Sequence, residues 1–141
     1  WHSLTCVYNG TDHRIYLDAV LQGTPTAYTA NLNTGDPGLL CLGCRRTNGT
    51  NGLIWTGLID NVRIWNTALT AAQVRQEHRC VSSGNESNLT GYWNFDGAAS
   101  GNADGADYSS QNNDMTNNNS AATRTTIPFA GSPCRNAFGD I

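Results

Sequence analysis

Cysteine and asparagine are the residues best placed to do chemistry in this sequence. The chain carries five cysteines, Cys6, Cys41, Cys44, Cys80 and Cys134. An odd number leaves at least one thiol without a partner inside the chain, and five in 141 residues point to an oxidising compartment. Cys41-Leu-Gly-Cys44 has the spacing of half a zinc knuckle or of a redox pair. A zinc site needs a second such pair, and a thioredoxin-type pair needs a βαβ context; the sequence offers neither. Structural disulfides to other cysteines are therefore favoured. A direct Cys41–Cys44 bond would need a sharp turn at Gly43, because residues i and i+3 of a strand point to opposite faces. Cys80 and Cys134 bracket the C-terminal extension and are expected to pair. Cys6 is expected to pair with Cys41, with Cys44 or with a cysteine outside the chain.

Five N-glycosylation sequons begin at Asn9, Asn48, Asn85, Asn88 and Asn118. A chain rich in Asn, Thr and Ser makes some sequons by accident, but the set together with the cysteines favours secretion or display at a cell surface. The first residue is Trp1 and no signal-peptide pattern is present, as expected of a piece of a longer secreted protein. Late in the chain Asp96, Asp104, Asp107, Asn113 and Asp114 gather hard oxygen ligands of the kind calcium takes. Their spacing fits no EF-hand, so a solvated turn-rich loop is favoured, with Ca2+ at Asp104, Asp107 and Asp114 as the alternative. No cofactor is otherwise required. Among the tryptophans, Trp55 lies between Gly52 and Gly57 and is the candidate for stacking on carbohydrate, whereas Trp65 and Trp93 are expected in the core or in strand pairs.

Composition narrows the partners. Hydrophobic residues make up 38% and charged residues only 13%, so neutral polar groups must form the surface of what is expected to be a single domain. Every basic residue is arginine, and the net charge of -3 disfavours nucleic acid or an anionic membrane as partner. No apolar run approaches the roughly 20 residues that would span a bilayer, so membrane insertion is not expected. Nucleophilic catalysis finds no support: G-x-S-x-G is missing, and His78 with Cys80 stands at i, i+2, a spacing that does not face together on a helix.

The elements that must position these residues follow from periodicity. Residues 1 to 8 alternate as a strand with Leu4, Cys6 and Tyr8 on one face, the expected core face of the hairpin. Asn9-Gly-Thr-Asp12 is turn chemistry and His13 to Asp18 the second strand. Residues 19 to 37 read as loop, 39 to 43 as a short apolar strand, and 44 to 52 as a polar loop. From Leu53 to Trp65 a strand is expected, covered on both faces. Thr70 can cap a helix over residues 70–79 with Gln73 completing a capping box. Leu89 to Phe95 reads as another strand, 96 to 119 as loop with room for one short strand, and 127 to 129 as a last short strand.

The run Gly57-Leu-Ile-Asp-Asn-Val-Arg-Ile-Trp-Asn-Thr-Ala-Leu69 resembles the closing strand of laminin-G-like, concanavalin A-type jelly-roll domains, whose members carry G-L-I-D-x-V-R-I-W-N-x-A-L. Trp1 to Asp18 is similar to the family's W-H-H-V-A-V-T-Y-D-G … L-Y-V-D-G hairpin, and Leu39 to Gly43 to its L-R-I-G strand. Leu89 to Phe95 with Asp107 to Asp114 resembles the L-x-G-Y-W-x-F-D-E-G … D-S-S-G-N-G-N-D-G stretch that often follows. The resemblance is collinear over about Trp1 to Asp114 but covers only the later part of the pattern. The opening F-D-G-x-D-D-Y-V and F-T-x-E-A-W-V strands have no counterpart.

The resemblance implies an all-β antiparallel sandwich, a jelly roll that is incomplete, with one short helix near 70–79. Residues 1–129 would form this sandwich and 130–141 a tail or a linker to a following segment. Fold relatives include glycoside hydrolases, which need paired carboxylates. This chain has two glutamates, Glu77 at the helix end and Glu86 in a sequon, and no strand with paired carboxylates, so it is not expected to be an enzyme. The expected function is a non-enzymatic extracellular glycoprotein module for adhesion or assembly, with carbohydrate as a candidate ligand. The alternative is a repeating subunit of an extracellular fibre or surface appendage. Its partners would be other copies or segments of the same parent protein, which would supply the missing strands.

Overall fold

A computed structural model describes residues 1–29, 40–47, 50–80, 82–96 and 105–115. They form β1 (Leu4–Tyr8), β2 (Asp12–Leu17), β3 (Val20–Ala27), β4 (Arg45–Thr47), β5 (Thr50–Gly52), β6 (Val62–Trp65), α1 (Ala71–Arg79) and β7 (Leu89–Trp93). All pairings are antiparallel: a three-stranded sheet β1-β2-β3 and the two-stranded sheets β4-β5 and β6-β7. Among the described residues this is an all-β, antiparallel architecture with one short helix. The expected boundary between residues 129 and 130, and the expected strand at 127 to 129, lie outside the described residues.

Local rules account for the elements that form as expected. Asn9 to Asp12 closes the β1–β2 turn, where Gly10 takes a φ of 91° that a side chain would resist. Thr70 sits extended ahead of α1, accepts the Gln73 N–H and is bonded back by the Gln73 side chain, a complete capping box. His78 and Arg79 occupy the last turn, where cations suit the helix dipole.

Several elements differ from expectation. Residues 20–27 are not loop but β3, joined to β2 through Asp18 and Ala19, both at positive φ. Positive φ at two successive turn residues is the tight hairpin geometry that Asn-Gly usually signals, and Asp-Ala does not advertise it. β3 tolerates Pro25 because it lies at the sheet edge, and its register shifts opposite His13 and Ile15, near Gly23 at φ 65°. The strand expected from Leu39 to Gly43 does not form where described, since the Cα atoms of Cys41 and Cys44 are 5.9 Å apart, far shorter than an extended run. The expected 44–52 loop instead holds the antiparallel pair β4–β5, with Thr47 opposite Thr50. Only Val62–Trp65 of the long strand expected from Leu53 is laddered: Asn61 at φ 53° breaks the extended chain, and pairing ends at Val62 with Trp93. Its two-sided cover is partial, for Val62 to Trp65 are half-buried while Leu58 and Ile59 are exposed.

The core is small. Val7 and Tyr16 of the three-stranded sheet pack with Leu69 and Val74, and Ala19 and Trp65 lie against this cluster. Burial of each such side chain stabilises by about 1.5–3 kcal/mol. The buried face of β1 is therefore the Val7 face. The face of Leu4, Cys6 and Tyr8, expected in the core, is turned the other way because the segment from Leu69 to Val74 docks opposite it. Leu4 is 69% exposed and Cys6 is exposed.

Candidate functional site

The Cys41–Cys44 turn and the segment 53–59 build an exposed aromatic feature. Cys41 and Cys44 bond to each other rather than to other cysteines, and Gly43 makes this possible with φ at 76°. Its carbonyl accepts the Trp55 N–H at 2.8 Å. The indole of Trp55 lies across Gly57, where a Cβ would stand 2.8 Å from Nε1. Trp55 is thus held by its backbone and by its ring, yet is 61% exposed, with Leu53, Ile54 and Leu58 exposed around it. An indole fixed in this way can stack on the apolar face of a sugar or on another apolar ligand.

The other cysteines separate. Cys6 is a free, exposed thiol, so its expected bond to Cys41 or Cys44 is replaced by the Cys41–Cys44 bridge. Cys80 is buried and disulfide-bonded. Cys134, its expected partner, lies outside the described residues.

Asp107 and Asp114 meet, but through the backbone. The Asp107 N–H donates to Asp114 Oδ1 at 2.9 Å. The Asp107 carboxylate accepts the N–H groups of Tyr92, Ser109 and Asn113 and the Ser109 hydroxyl, each at 2.8 Å. Burial pushes this carboxyl up, but those donors outweigh it and hold it below the usual carboxylate value. A carboxylate offers about four lone-pair positions, and four donors already use them here. The loop also reaches β7 through Tyr108 N–H to Tyr92 O and Asn113 Nδ2 to Thr90 O. Asp107 therefore clips the 105–115 loop to the outer edge of β7. Asp104 lies outside the described residues, and among those described no cluster of three His, Cys, Asp or Glu has metal-binding placement.

Two clusters escaped the sequence because their members are far apart in the chain. His2 and Asp18 form an exposed pair at 2.8 Å, and the Ser3 hydroxyl bonds His78 Nδ1 at 2.8 Å. The bond from His2, then that of the Ser3 N–H, lower the Asp18 carboxyl. These contacts tie the end of α1 to the start of β1. In the second cluster, burial raises the Asp60 carboxyl, the Asn61 N–H pulls it back, and the Asp96 charge raises it further. Glu77 is held by Arg63 and Ser82, and Glu86 by Ser83 and Gly84.

Of the sequon asparagines, Asn9, Asn85 and Asn88 are all exposed, while Asn48 and Asn118 lie outside the described residues.

No curated protein and no solved structure matches the chain. A family model does: the laminin G model described as concanavalin A-like lectin/glucanases superfamily matches residues 1–75, from the start of the chain into α1. The match takes in β1 to β6 and the core that Val7, Tyr16, Leu69 and Val74 build, and with it the chain belongs to the concanavalin A-like lectin/glucanases superfamily.

Proposed function

We propose that this chain is a non-enzymatic extracellular glycoprotein module for adhesion or assembly. The observation that carries the reading is the uncovered face of the three-stranded sheet. Register places Leu4 opposite Leu17 and Leu17 opposite Val20, with Cys6 opposite Ile15 in the next row. All five are exposed, Leu4 by 69% and Val20 by 63%. Apolar surface in water is unfavourable by roughly 25 cal/mol per Å², so a continuous row of this kind supports a partner surface. Other copies or segments of the parent protein fit it, since the row carries no charge to repel a like surface. A repeating subunit of an extracellular fibre or appendage, with strands supplied by neighbours, is the alternative form of the same reading. The family, the disulfides and the sequons support an extracellular setting. No described helix is long and apolar enough to cross a membrane.

Sedimentation and electron microscopy of native material test the proposal. Self-association that Leu17→Ser weakens supports assembly, and ordered filaments favour the fibre form. A monomer at every concentration, with no partner retained on the Leu4–Val20 face, sinks it.

A second reading rests on Trp55. Its fixed, exposed indole supports carbohydrate binding, with Ca2+ as a candidate helper. Glycan retention that Trp55→Ala abolishes would favour this reading, and loss on chelation with EDTA would add the cation.

A further inference from the structure

We propose that Asn9 is the asparagine, among the described sequons, that carries an N-linked glycan. The inference deepens the extracellular reading and rests on it. A sequon is modified when its Asn-X-Thr/Ser peptide is accessible and when the folded chain accepts the sugar afterwards. All three described asparagines are exposed, and what distinguishes them is the surroundings of the middle residue X. In Asn88-Leu-Thr90, Leu89 is buried and laddered to Trp65. In Asn85-Glu-Ser87, the Glu86 carboxylate is committed to the Ser83 N–H, the Ser83 hydroxyl and the Gly84 N–H. In Asn9-Gly-Thr11, Gly10 stands at the tip of the β1–β2 turn with nothing within 4 Å of where a Cβ would be.

The side-chain bonds of Asn9 also leave room for the modification. Its Oδ1 accepts the Thr11 N–H at 2.9 Å, the Thr11 hydroxyl at 2.9 Å and the Asp12 N–H at 2.8 Å, an Asx turn built on oxygen alone. Its Nδ2 makes one long bond, 3.3 Å to Asp12 Oδ2. An amide nitrogen has two hydrogens, and glycosylation replaces only one. In the transfer, Asn9 Nδ2 attacks the anomeric carbon of a lipid-pyrophosphate-linked oligosaccharide. The C–N bond forms, the C–O bond to pyrophosphate breaks, the lipid pyrophosphate leaves with the electron pair, and Nδ2 releases one proton to a base of the transferase. The product keeps Oδ1 and one N–H, so the three bonds accepted by Oδ1 survive the sugar.

Tryptic mapping of native protein, with enzymatic deglycosylation in heavy-oxygen water, reads the site directly. Cleavage after Arg14 isolates residues 1–14, whose only sequon is Asn9, from residues 80–124, which hold those of Asn85, Asn88 and Asn118. The expected result is glycan mass and isotope label on 1–14. Thr11→Ala should lose both and Thr11→Ser should keep them. An unmodified 1–14 peptide beside a glycosylated 80–124 or 47–63 peptide overturns the assignment to Asn9 and leaves the extracellular reading standing. No glycan on any peptide overturns the assignment and also removes the support that the sequons lend to that reading.

Discussion

Arg63 of β6 and Glu77 of α1 form an ion pair at 2.8 Å, with side chains only 13% and 15% exposed. The guanidinium also donates to the backbone carbonyls of Glu77 and Cys80 and lies 5.4 Å over the Tyr92 ring. One planar fork thus joins a strand, the end of a helix, the disulfide-bonded Cys80 and the partner strand β7.

Removing either charge should leave the other poorly solvated. Arg63→Met or Glu77→Gln is expected to cost about 2–4 kcal/mol, and Arg63→Lys to recover only part of it, because a compact ammonium lacks the planar spread by which two guanidinium nitrogens reach Glu77 and Cys80 while the plane lies over Tyr92. Urea unfolding of the single and double variants measures this. Additive losses would show that the pair is not coupled.

Asp107 should give the chain an acid-sensitive edge. Its folded-state carboxyl lies below the unfolded value, so its stabilisation is complete above the unfolded pKa, about 3.9, and disappears as pH falls through the lower folded value. Asp107→Asn should destabilise by about 1–3 kcal/mol at neutral pH and flatten the acid limb of the stability curve. Hydrogen exchange at the Tyr92 and Ser109 amides should quicken first. Unchanged exchange at both would contradict the clip.

The helix start should behave as a local unit. Thr70→Ala removes the acceptor for the Gln73 N–H and is expected to cost about 1 kcal/mol, with Thr70→Ser nearly neutral. Thermal unfolding of the pair decides the point, and equal loss in both variants would assign the effect to something other than the cap.

The bridge between Cys41 and Cys44 should hold Trp55. With both cysteines changed to serine, the Gly43 carbonyl is no longer fixed, and the Trp55 amide is expected to exchange about tenfold faster, a difference of about 1.4 kcal/mol. Exchange as slow as in the oxidised protein would mean that Gly57 and the ring suffice.

What the sequence determined by itself is what short-range physics controls. Thr70 and Gln73 announce the helix because a capping box is complete within four residues. Asn9-Gly10 announces the first turn because glycine takes positive φ without a steric cost and the Asn side chain can bond the backbone two residues on, and the ordered series of motifs announces the family. The tertiary structure alone decided which face of β1 is covered. Alternation sorts Leu4, Cys6 and Tyr8 from Val7, but only the docking of Leu69 and Val74 chooses between the two sides. It also decided the Cys41 bond, since Gly43 turns the backbone through an angle that neighbouring residue types do not dictate. The same holds for Asp107: it reads as one acidic residue of a soluble loop, and becomes a clip because Tyr92, 15 positions earlier, brings its amide to the carboxylate.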